Sequence, residues 1–206
     1  MTLRLILVRH GLSTFNKDFR IQGRNDMATL AHEGHLQANE TGKFLAKLPL
    51  ETVYSSPLQR ASQTTYEILK QRDQHLEPVF TDDLLEIDLE PWSGLTKDEV
   101  ALKFPEAQMT WQKDPKNLVL KRKDKSEYNP VLETISQADI FIKKLIDVHS
   151  IKSNQNILIV GHNAILRCIL INLLGDPLHA FRKLQLDNAS ISIINIKSKR
   201  TNPYEV

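Results

Sequence analysis

The hydrophobic positions of the chain form short aliphatic runs that alternate with amphipathic stretches. Residues 3–8 (LRLILV) and 156–160 (NILIV) are almost entirely aliphatic, as expected for strands buried on both faces of a sheet. Apolar residues recur at helical spacing in residues 35–48, in residues 131–149 and in the segment that follows Gly161. Strands that alternate with helices predict an α/β protein, here a three-layer α/β/α sandwich with a mostly parallel central sheet.

Shorter β-rich runs complete the sheet in this prediction. ETVYS (51–55), EPVFT (77–81) and SISIINI (190–196) are each long enough to form a strand. The first is followed by SSPLQRASQTTYEIL, which is typical of a helix. Ser56 is placed to cap this helix, and Pro57 to occupy its first position.

Residues 82–130 depart from the regular alternation. They lack a clear period except around Pro105, which divides residues 96–113 into two short helices. Thr96 stands three residues before a glutamate, which is a capping-box pattern at the start of the first of these helices. No repeat or linker interrupts the chain, so we expect residues 1–206 to form a single domain with this helical and loop excursion.

Composition and charge narrow the class of protein without naming a function. The chain has 206 residues, 41% hydrophobic and 25% charged, with a net charge of +2. The near-neutral balance gives no argument for nucleic acid or a membrane surface as a partner. Cys168 is the single cysteine, which excludes an intrachain disulfide and a cysteine-based zinc site. No apolar run approaches the roughly 18 residues of a membrane span, and the first apolar run is too short for a signal peptide. We therefore predict a cytoplasmic location.

The two aliphatic strands end in matching motifs. The run LILV is followed at once by Arg9, His10 and Gly11, and the run ILIV is followed by Gly161 and His162. In open α/β sheets, ligands bind beyond the carboxyl ends of the strands. Two strands of one parallel sheet are therefore expected to bring both histidines into one crevice.

The neighbours of these histidines favour an anion as the ligand. A histidine serves as metal ligand, general base or nucleophile, and carboxylate or cysteine partners at ligand spacing are missing here. Arg9 presents a fork of donors that matches phosphate oxygens, and Arg60 lies near a helix start, where anions are favoured. Gly11 lets the backbone approach a ligand, and Asn16 adds an amide donor. A histidine that attacks a phosphoryl group forms a phosphohistidine.

Five motifs, in order, make almost the whole chain resemble the histidine phosphatase superfamily, the phosphoglycerate-mutase-like group named for its RHG motif. The motifs are RHGLSTFN (9–16), IQGRND (21–26), SSPLQRASQT (55–64), LLEIDLEPWSG (84–94) and GHNAILR (161–167). Within the family, the resemblance is to metal-independent phosphoserine phosphatases of cyanobacterial type.

The resemblance implies a role for each matching residue. His10 would be the nucleophile, and Glu86 would be the acid that protonates the leaving alcohol and then the base that activates water. Arg9, Asn16, Arg60 and His162 would bind the phosphoryl oxygens, with His162 also counted as catalytic, and Gln22, Gly23 and Asn163 would contact the rest of the substrate. The family needs no metal or cofactor, its excursion covers the active site, and homodimers are common in it.

Several features favour a phosphatase over a mutase. The acid loop has the EIDxxxWSG form, the second motif reads GHNAILR rather than AHGNSLR, and only KSKRTNPYEV follows the last strand. The expected reaction is hydrolysis of L-phosphoserine to L-serine and phosphate. The alternatives are a cofactor-dependent phosphoglycerate mutase, a phosphatase for another small phosphorylated acid or sugar phosphate (2-carboxyarabinitol-1-phosphate or α-ribazole phosphate), and a catalytically silent phosphate-binding module.

One basic stretch has two interpretations. Residues 113–125 hold six basic residues and two acidic ones. Such a run is usually a solvated loop. Alternatively, Arg122 or Lys123 reaches the carboxylate of a small phosphorylated acid. Trp92 and Trp111 are expected to be packing anchors for the excursion.

Overall fold

A computed structural model describes residues 2–149, 154–175 and 180–197. Its strands are β1 (Thr2–Arg9), β2 (Thr52–Ser55), β3 (Val79–Phe80), β4 (Leu120–Lys121), β5 (Glu127–Tyr128), β6 (Gln155–Gly161) and β7 (Ile191–Lys197). Its helices are α1 (Thr14–Lys17), α2 (His32–Leu45), α3 (Gln59–Leu69), α4 (Lys97–Lys103), α5 (Pro105–Lys113), α6 (Pro130–Val148) and α7 (Asn163–Leu174). None of the helices in these ranges is long and apolar enough to cross a membrane.

The central sheet has the strand order β3-β2-β6-β1-β7. Strands β1, β2, β3 and β6 run parallel, and β7 is antiparallel to β1 along one edge. Strands β1 and β6 pair in register, so that Arg9 lies opposite Gly161 at their carboxyl ends. The predicted mostly parallel sheet is confirmed, and its two aliphatic strands are neighbours.

Helices cover both faces of this sheet because β1 and β6 bury alternate side chains in opposite directions. Leu5 and Leu7 of β1 enter a large core with α6 and α7, whereas Ile6 and Val8 pack with residues of α2 and α3. Helix α7 ends at Gly175, which adopts the left-handed conformation typical of a helix C-terminus. The expected three-layer sandwich is confirmed.

The excursion between β3 and α6 is more ordered than its sequence predicts. It contains 3₁₀ turns at Asp82–Leu84, Glu90–Trp92 and Pro115–Asn117, the helices α4 and α5, and the small hairpin β4–β5. Pro105 separates α4 from α5, and the capping box at the start of α4 is present, both as predicted. The excursion joins the core on the α6/α7 side through side chains such as Trp92.

The predicted start of α3 is wrong. The helix begins at Gln59, and Leu58 before it is extended at φ −59° and ψ 136°. The amide N–H of Gln59 donates to Asp26 Oδ1 at 2.6 Å, so the cap comes from a distant segment. The Ser56 hydroxyl instead lies 2.8 Å from a ring nitrogen of His162.

The C-terminal tail that bears on the choice between phosphatase and mutase lies outside the described residues, except for Lys197.

Candidate active site

The ends of β1 and β6 form the floor of the site. The His10 amide donates to the Gly161 carbonyl at 2.9 Å, which continues the ladder one residue past β1. The rings of His10 and His162 lie with their centroids 5.2 Å apart, and both residues are buried. The structure thus brings together two histidines that are 152 positions apart in the sequence.

The His10 ring is held by its own backbone. Its Nδ1 lies 2.7 Å from the carbonyl oxygen of Gly11, which can only accept, so the proton is on Nδ1 and the lone pair is on Nε2. Burial, followed by the charges of Arg60 and Arg9, holds the pKa of His10 well below its usual value. The ring is therefore neutral at pH 7, with the nucleophilic form of Nε2 available.

His162 presents its other nitrogen. Its Nε2 pairs with the Ser56 hydroxyl at 2.8 Å, whereas its buried Nδ1 has no hydrogen-bond partner within the described part of the chain. Burial is again the main cause of a strongly lowered pKa, with the charges of Arg60, His10 and Arg9 adding to it. This second ring is therefore also neutral, with Nδ1 left to bind a ligand.

Main-chain carbonyl groups fix the positions of two arginines in the site. Arg60 donates to the carbonyls of Gly23 at 2.8 Å and Asn25 at 2.9 Å, and Arg9 donates to that of Leu186 at 2.6 Å. In the described ranges, neither guanidinium forms an ion pair, and the Nε atom of each is buried without a partner. Burial lowers the pKa of Arg60 to about 10, which leaves it charged at neutral pH. An anion bound between the two guanidinium groups would provide the charge partner that both lack.

Glu86 reaches the same site from the excursion. Its Oε1 accepts hydrogen bonds from the amides of Ile87 at 2.9 Å, Ala164 at 3.0 Å and Ile165 at 3.2 Å. The last two amides belong to the first turn of α7, where the helix dipole favours a negative group. Glu86 is thereby fixed beside the histidines although it is 76 positions from His10 in the sequence.

Eight of the nine residues predicted from the sequence line one cavity. They are Arg9, His10, Asn16, Gln22, Gly23, Arg60, Glu86 and Asn163. The ninth, His162, lies against His10 and is fully buried. Within the described residues, no group of three or more His, Cys, Asp and Glu side chains is arranged to hold a metal ion.

Sequence reasoning missed several residues of the site. Arg20, Trp111 and Arg167 also line the cavity, and Arg167 is the last residue of the GHNAILR motif, where its type was a usable signal. Ser56 orients His162, and Thr64 accepts from the Gly11 amide at 3.0 Å while donating to the Arg60 carbonyl. The sequence does not indicate the roles of the Ser56 and Thr64 hydroxyls, because each role depends on a hydrogen bond to a residue far away in the sequence.

The basic stretch 113–125 fits the first of its two interpretations, a solvated loop. Arg122 pairs with Glu133 at 2.8 Å and stacks over the Tyr128 ring at 3.9 Å, and Lys123 lies 3.4 Å from Glu90. Neither Arg122 nor Lys123 lines the cavity. The solvated-loop interpretation is the one that fits these contacts.

The two tryptophans of the excursion differ. Trp92 is a packing anchor, as predicted, with 1% of its surface exposed. Trp111 stacks edge-on between Trp92 and Phe181, at 6.2 and 6.1 Å, and also forms part of the cavity wall. Its role is therefore wider than packing.

The geometry defines a class of protein: an α/β fold in which two neutral histidines follow adjacent parallel strands, next to two arginines, Arg9 and Arg60, that form no ion pair with the described residues. The family model of the histidine phosphatase superfamily (branch 1) matches residues 5–204. The chain belongs to this superfamily, and the resemblance carried by its five motifs is confirmed.

Individual relatives carry phosphatase names. The chain is 32% identical to phosphoserine phosphatase 1 of Hydrogenobacter thermophilus, over 96% of this chain and 89% of that protein. It is 33% identical to the 2-carboxy-D-arabinitol-1-phosphatase of Triticum aestivum, over 93% of this chain and 37% of that protein. The chain thus spans less than two fifths of the length of the plant relatives that it matches.

A solved structure shares the fold. The phosphoserine phosphatase of Entamoeba histolytica, in complex with 3-phosphoglyceric acid, superposes with a TM-score of 0.72 at 26% identity. The match covers 93% of this chain and 89% of that one. The fold class predicted from the sequence is therefore shared with a member of the family.

Proposed function

We propose that this chain is a phosphomonoester hydrolase that acts through a phosphohistidine on His10, with L-phosphoserine as its substrate. One observation carries the proposal: the Gly11 carbonyl fixes the proton on Nδ1, so that a neutral His10 offers the Nε2 lone pair in a cavity lined by Arg9 and Arg60. That combination of nucleophile and cations suits an attack on a phosphate ester.

In the first step, Nε2 of His10 attacks phosphorus and the bond from phosphorus to the ester oxygen breaks. Glu86 gives its proton to the departing oxygen, which leaves as an alcohol. The products of this step are the alcohol, an ionised Glu86 and a phosphohistidine.

In the second step, water attacks the phosphorus atom of the phosphohistidine. Glu86 takes one proton from this water, the phosphorus–nitrogen bond breaks, and the electron pair returns to Nε2 of His10. Inorganic phosphate leaves, and the protonated Glu86 is ready for the next ester. One carboxyl group thus serves as acid and then as base.

The remaining site residues stabilise the charge that spreads over the equatorial oxygens. Among the described residues, the buried Nε atoms of Arg9 and Arg60 and the Nδ1 atom of His162 have no hydrogen-bond partner. The carbonyl oxygen of Asn16 already accepts from the Ser13 hydroxyl at 3.0 Å, so its amide nitrogen is the group left to donate. Because these groups are oriented before the substrate binds, little reorganisation is needed during the reaction.

One unpartnered atom and one comparison support L-phosphoserine as the substrate. The Oδ1 atom of Asn163 is buried in the cavity wall without a hydrogen-bond partner among the described residues, and it suits an ammonium group. The relative from Hydrogenobacter thermophilus has a phosphoserine phosphatase name and matches nearly its full length. Independence from metals and cofactors, the cytoplasmic location and a homodimer stay predictions from the sequence.

The test is a substrate panel in the presence of EDTA. The protein is incubated with phosphoserine, 3-phosphoglycerate and sugar phosphates, while free phosphate and isomerised product are both followed. We expect phosphate release, fastest from phosphoserine, and an acid-labile, alkali-stable phosphoenzyme after rapid quenching. The exposed His32 provides the matched control: His32→Asn keeps the phosphoenzyme, whereas His10→Asn loses it.

Each other outcome changes a defined part of the proposal. Isomerisation of 3-phosphoglycerate without phosphate release would indicate a mutase. Faster hydrolysis of another ester would replace phosphoserine as the substrate. A phosphoenzyme that persists in His10→Asn would overturn the mechanism, and no turnover of any ester would indicate a silent binding module.

A further inference from the structure

Arg167 is an arginine of the cavity that neither the phosphate contacts nor the acid–base chemistry uses. It lies one helical turn after Asn163 on α7, half-buried in the cavity wall. Its Nε donates to the Asn163 carbonyl at 3.2 Å, and its Nη1 donates to the Phe181 carbonyl at 2.7 Å. The guanidinium also stacks over the Phe181 ring at 4.4 Å. Three contacts therefore fix its plane before any ligand binds.

The charge of Arg167 is not neutralised by a neighbouring carboxylate. Within the described residues, Arg167 forms no ion pair, in contrast to Arg20, which lies 3.9 Å from Glu99, and Arg122, which pairs with Glu133. Its Nη2 also makes no hydrogen bond with the described residues. A half-buried guanidinium with a free edge is suited to bind an anionic group of a ligand.

The charge balance of the cavity leaves room for a second anionic group. Arg20 lies 3.9 Å from Glu99, which leaves Arg9, Arg60 and Arg167 as the cavity arginines without an ion pair among the described residues. Glu86 is the carboxyl group in the cavity wall. When Glu86 holds the proton for the leaving oxygen, a phosphate dianion balances two of these three cations. The third cation then remains for a negative charge elsewhere on the substrate.

The position of Arg167 indicates where on the substrate that charge lies. Glu86 accepts hydrogen bonds from the amides of Ala164 and Ile165 in the first turn of α7, and Arg167 follows on the same helix. The two side chains therefore belong to the same wall of the cavity. Glu86 faces the leaving oxygen in the proposed mechanism. Arg167 is therefore on the side of the alcohol that leaves.

We propose that Arg167 is a specificity-determining residue that binds the carboxylate of the leaving alcohol. With the Asn163 amide beside it, it selects phosphate esters of small amino or hydroxy acids over esters that lack a carboxylate. This inference rests on the proposed function in so far as Glu86 is the proton donor to the ester oxygen.

The test compares phosphoserine with phosphoethanolamine, which has the same ammonium and phosphate groups but no carboxylate. We expect Arg167→Gln to lower kcat/KM for phosphoserine by about 10- to 100-fold, the value of a hydrogen-bonded charge pair. The fold loss in kcat/KM that Arg167→Gln causes should be at least about tenfold larger for phosphoserine than for phosphoethanolamine. Arg167→Lys should recover part of the selectivity, because it keeps the charge without the planar fork.

Arg182→Gln is the matched control. Arg182 also donates to a main-chain carbonyl, that of Trp111 at 2.5 Å, but it does not line the catalytic cavity. The Arg182→Gln variant should leave the ratio of kcat/KM for phosphoserine to kcat/KM for phosphoethanolamine unchanged. Equal losses for both esters in Arg167→Gln would show a phosphate-binding or purely structural role, and would overturn the proposal.

A measurement on the wild-type protein covers the case in which the Arg167 variants do not fold. Phosphoserine methyl ester, whose carboxylate is masked, should bind about tenfold more weakly than phosphoserine. Equal binding would also overturn the proposal. Failure of the proposed function is recognised separately, because the wild-type protein would then form no phosphohistidine with either ester.

Discussion

The ends of β1 and β6 have similar sequences but present opposite nitrogens of their histidines. At β1, the Gly11 carbonyl holds Nδ1 of His10 and leaves Nε2 open. At β6, the Ser56 hydroxyl holds Nε2 of His162 and leaves Nδ1 unpartnered among the described residues. One ring is therefore set up to form a covalent bond and the other to bind charge. The motif determines where a histidine lies, and its hydrogen-bond partner determines which atom is used.

The backbones of the two strand ends also differ. A Cβ atom at Gly11 would lie 2.4 Å from the Gly34 carbonyl oxygen, and one at Gly34 would lie 2.1 Å from the Leu12 carbonyl oxygen. A Cβ atom at Gly161 would meet only the side chain of Leu166 closely, at 3.2 Å. The nucleophile is thus held by a backbone-to-backbone contact with α2, whereas the end of β6 faces side chains that are able to adjust.

The largest expected difference between the two ends is catalytic. His10→Asn removes the nucleophile and should lower kcat by at least about 10⁴-fold. His162→Gln should lower kcat by about 10²-fold, because it removes a group that only stabilises charge. His162→Asn should retain more activity than His162→Gln, since an asparagine amide lies close to the position of Nδ1. Steady-state rates with the preferred ester measure all three variants, and equal inactivation at both positions would contradict the assignment of roles.

The second difference concerns stability. Gly11→Ala should lower the free energy of unfolding by about 3 kcal/mol, because a main-chain atom must move to relieve the contact. Gly161→Ala should lower it by less than about 1 kcal/mol, since the contact is with a flexible side chain. Urea denaturation at neutral pH measures both. Similar losses for the two alanine variants would show that the two strand ends are equally rigid.

The third prediction uses the lowered pKa values of both histidines. Below about pH 6.5 the unfolded chain binds protons at His10 and His162 that the folded chain excludes. The free energy of unfolding should therefore fall as the pH decreases, by up to about 1.4 kcal/mol per pH unit for each histidine. His10→Asn should reduce this slope and the exposed His32→Asn should not, as measured by urea denaturation from pH 7.5 to 5.5. An unchanged slope in His10→Asn would mean that His10 is protonated in the folded state.

The smallest effect tests the contact that distinguishes the two rings. Ser56→Ala removes the partner of His162 Nε2 and should lower kcat/KM by about tenfold, the value of one buried hydrogen bond. The control is Ser62→Ala, whose hydroxyl donates to the Gln59 carbonyl on the exposed side of α3. If both alanine variants behave alike, the Ser56 contact does not orient the ring.

Features that depend on neighbouring residues are predictable from the sequence, whereas features that depend on contacts between distant residues are not. Strands β1 and β6 and helix α7 are predictable because their aliphatic runs and flanking glycines are local signals. Strands β4 and β5 were missed, since two residues each are too few to form a pattern. The sequence neighbourhood of Ser56, SSP, is typical of a helix cap and therefore predicts the wrong partner for its hydroxyl. The contact that it makes instead is with a residue 106 positions away.

The sequence by itself determined the α/β class, the family and the nine residues predicted for the site, because each motif places its chemistry at a fixed offset from a buried strand or a helix start. The tertiary structure alone decided which nitrogen of each histidine is open, that Glu86 rests on the first amides of α7, and that Arg167 rather than Arg122 faces the cavity. The physical reason is that hydrogen bonds and charge pairs between distant segments depend on the packing of the whole sheet and its helices, which no local pattern encodes.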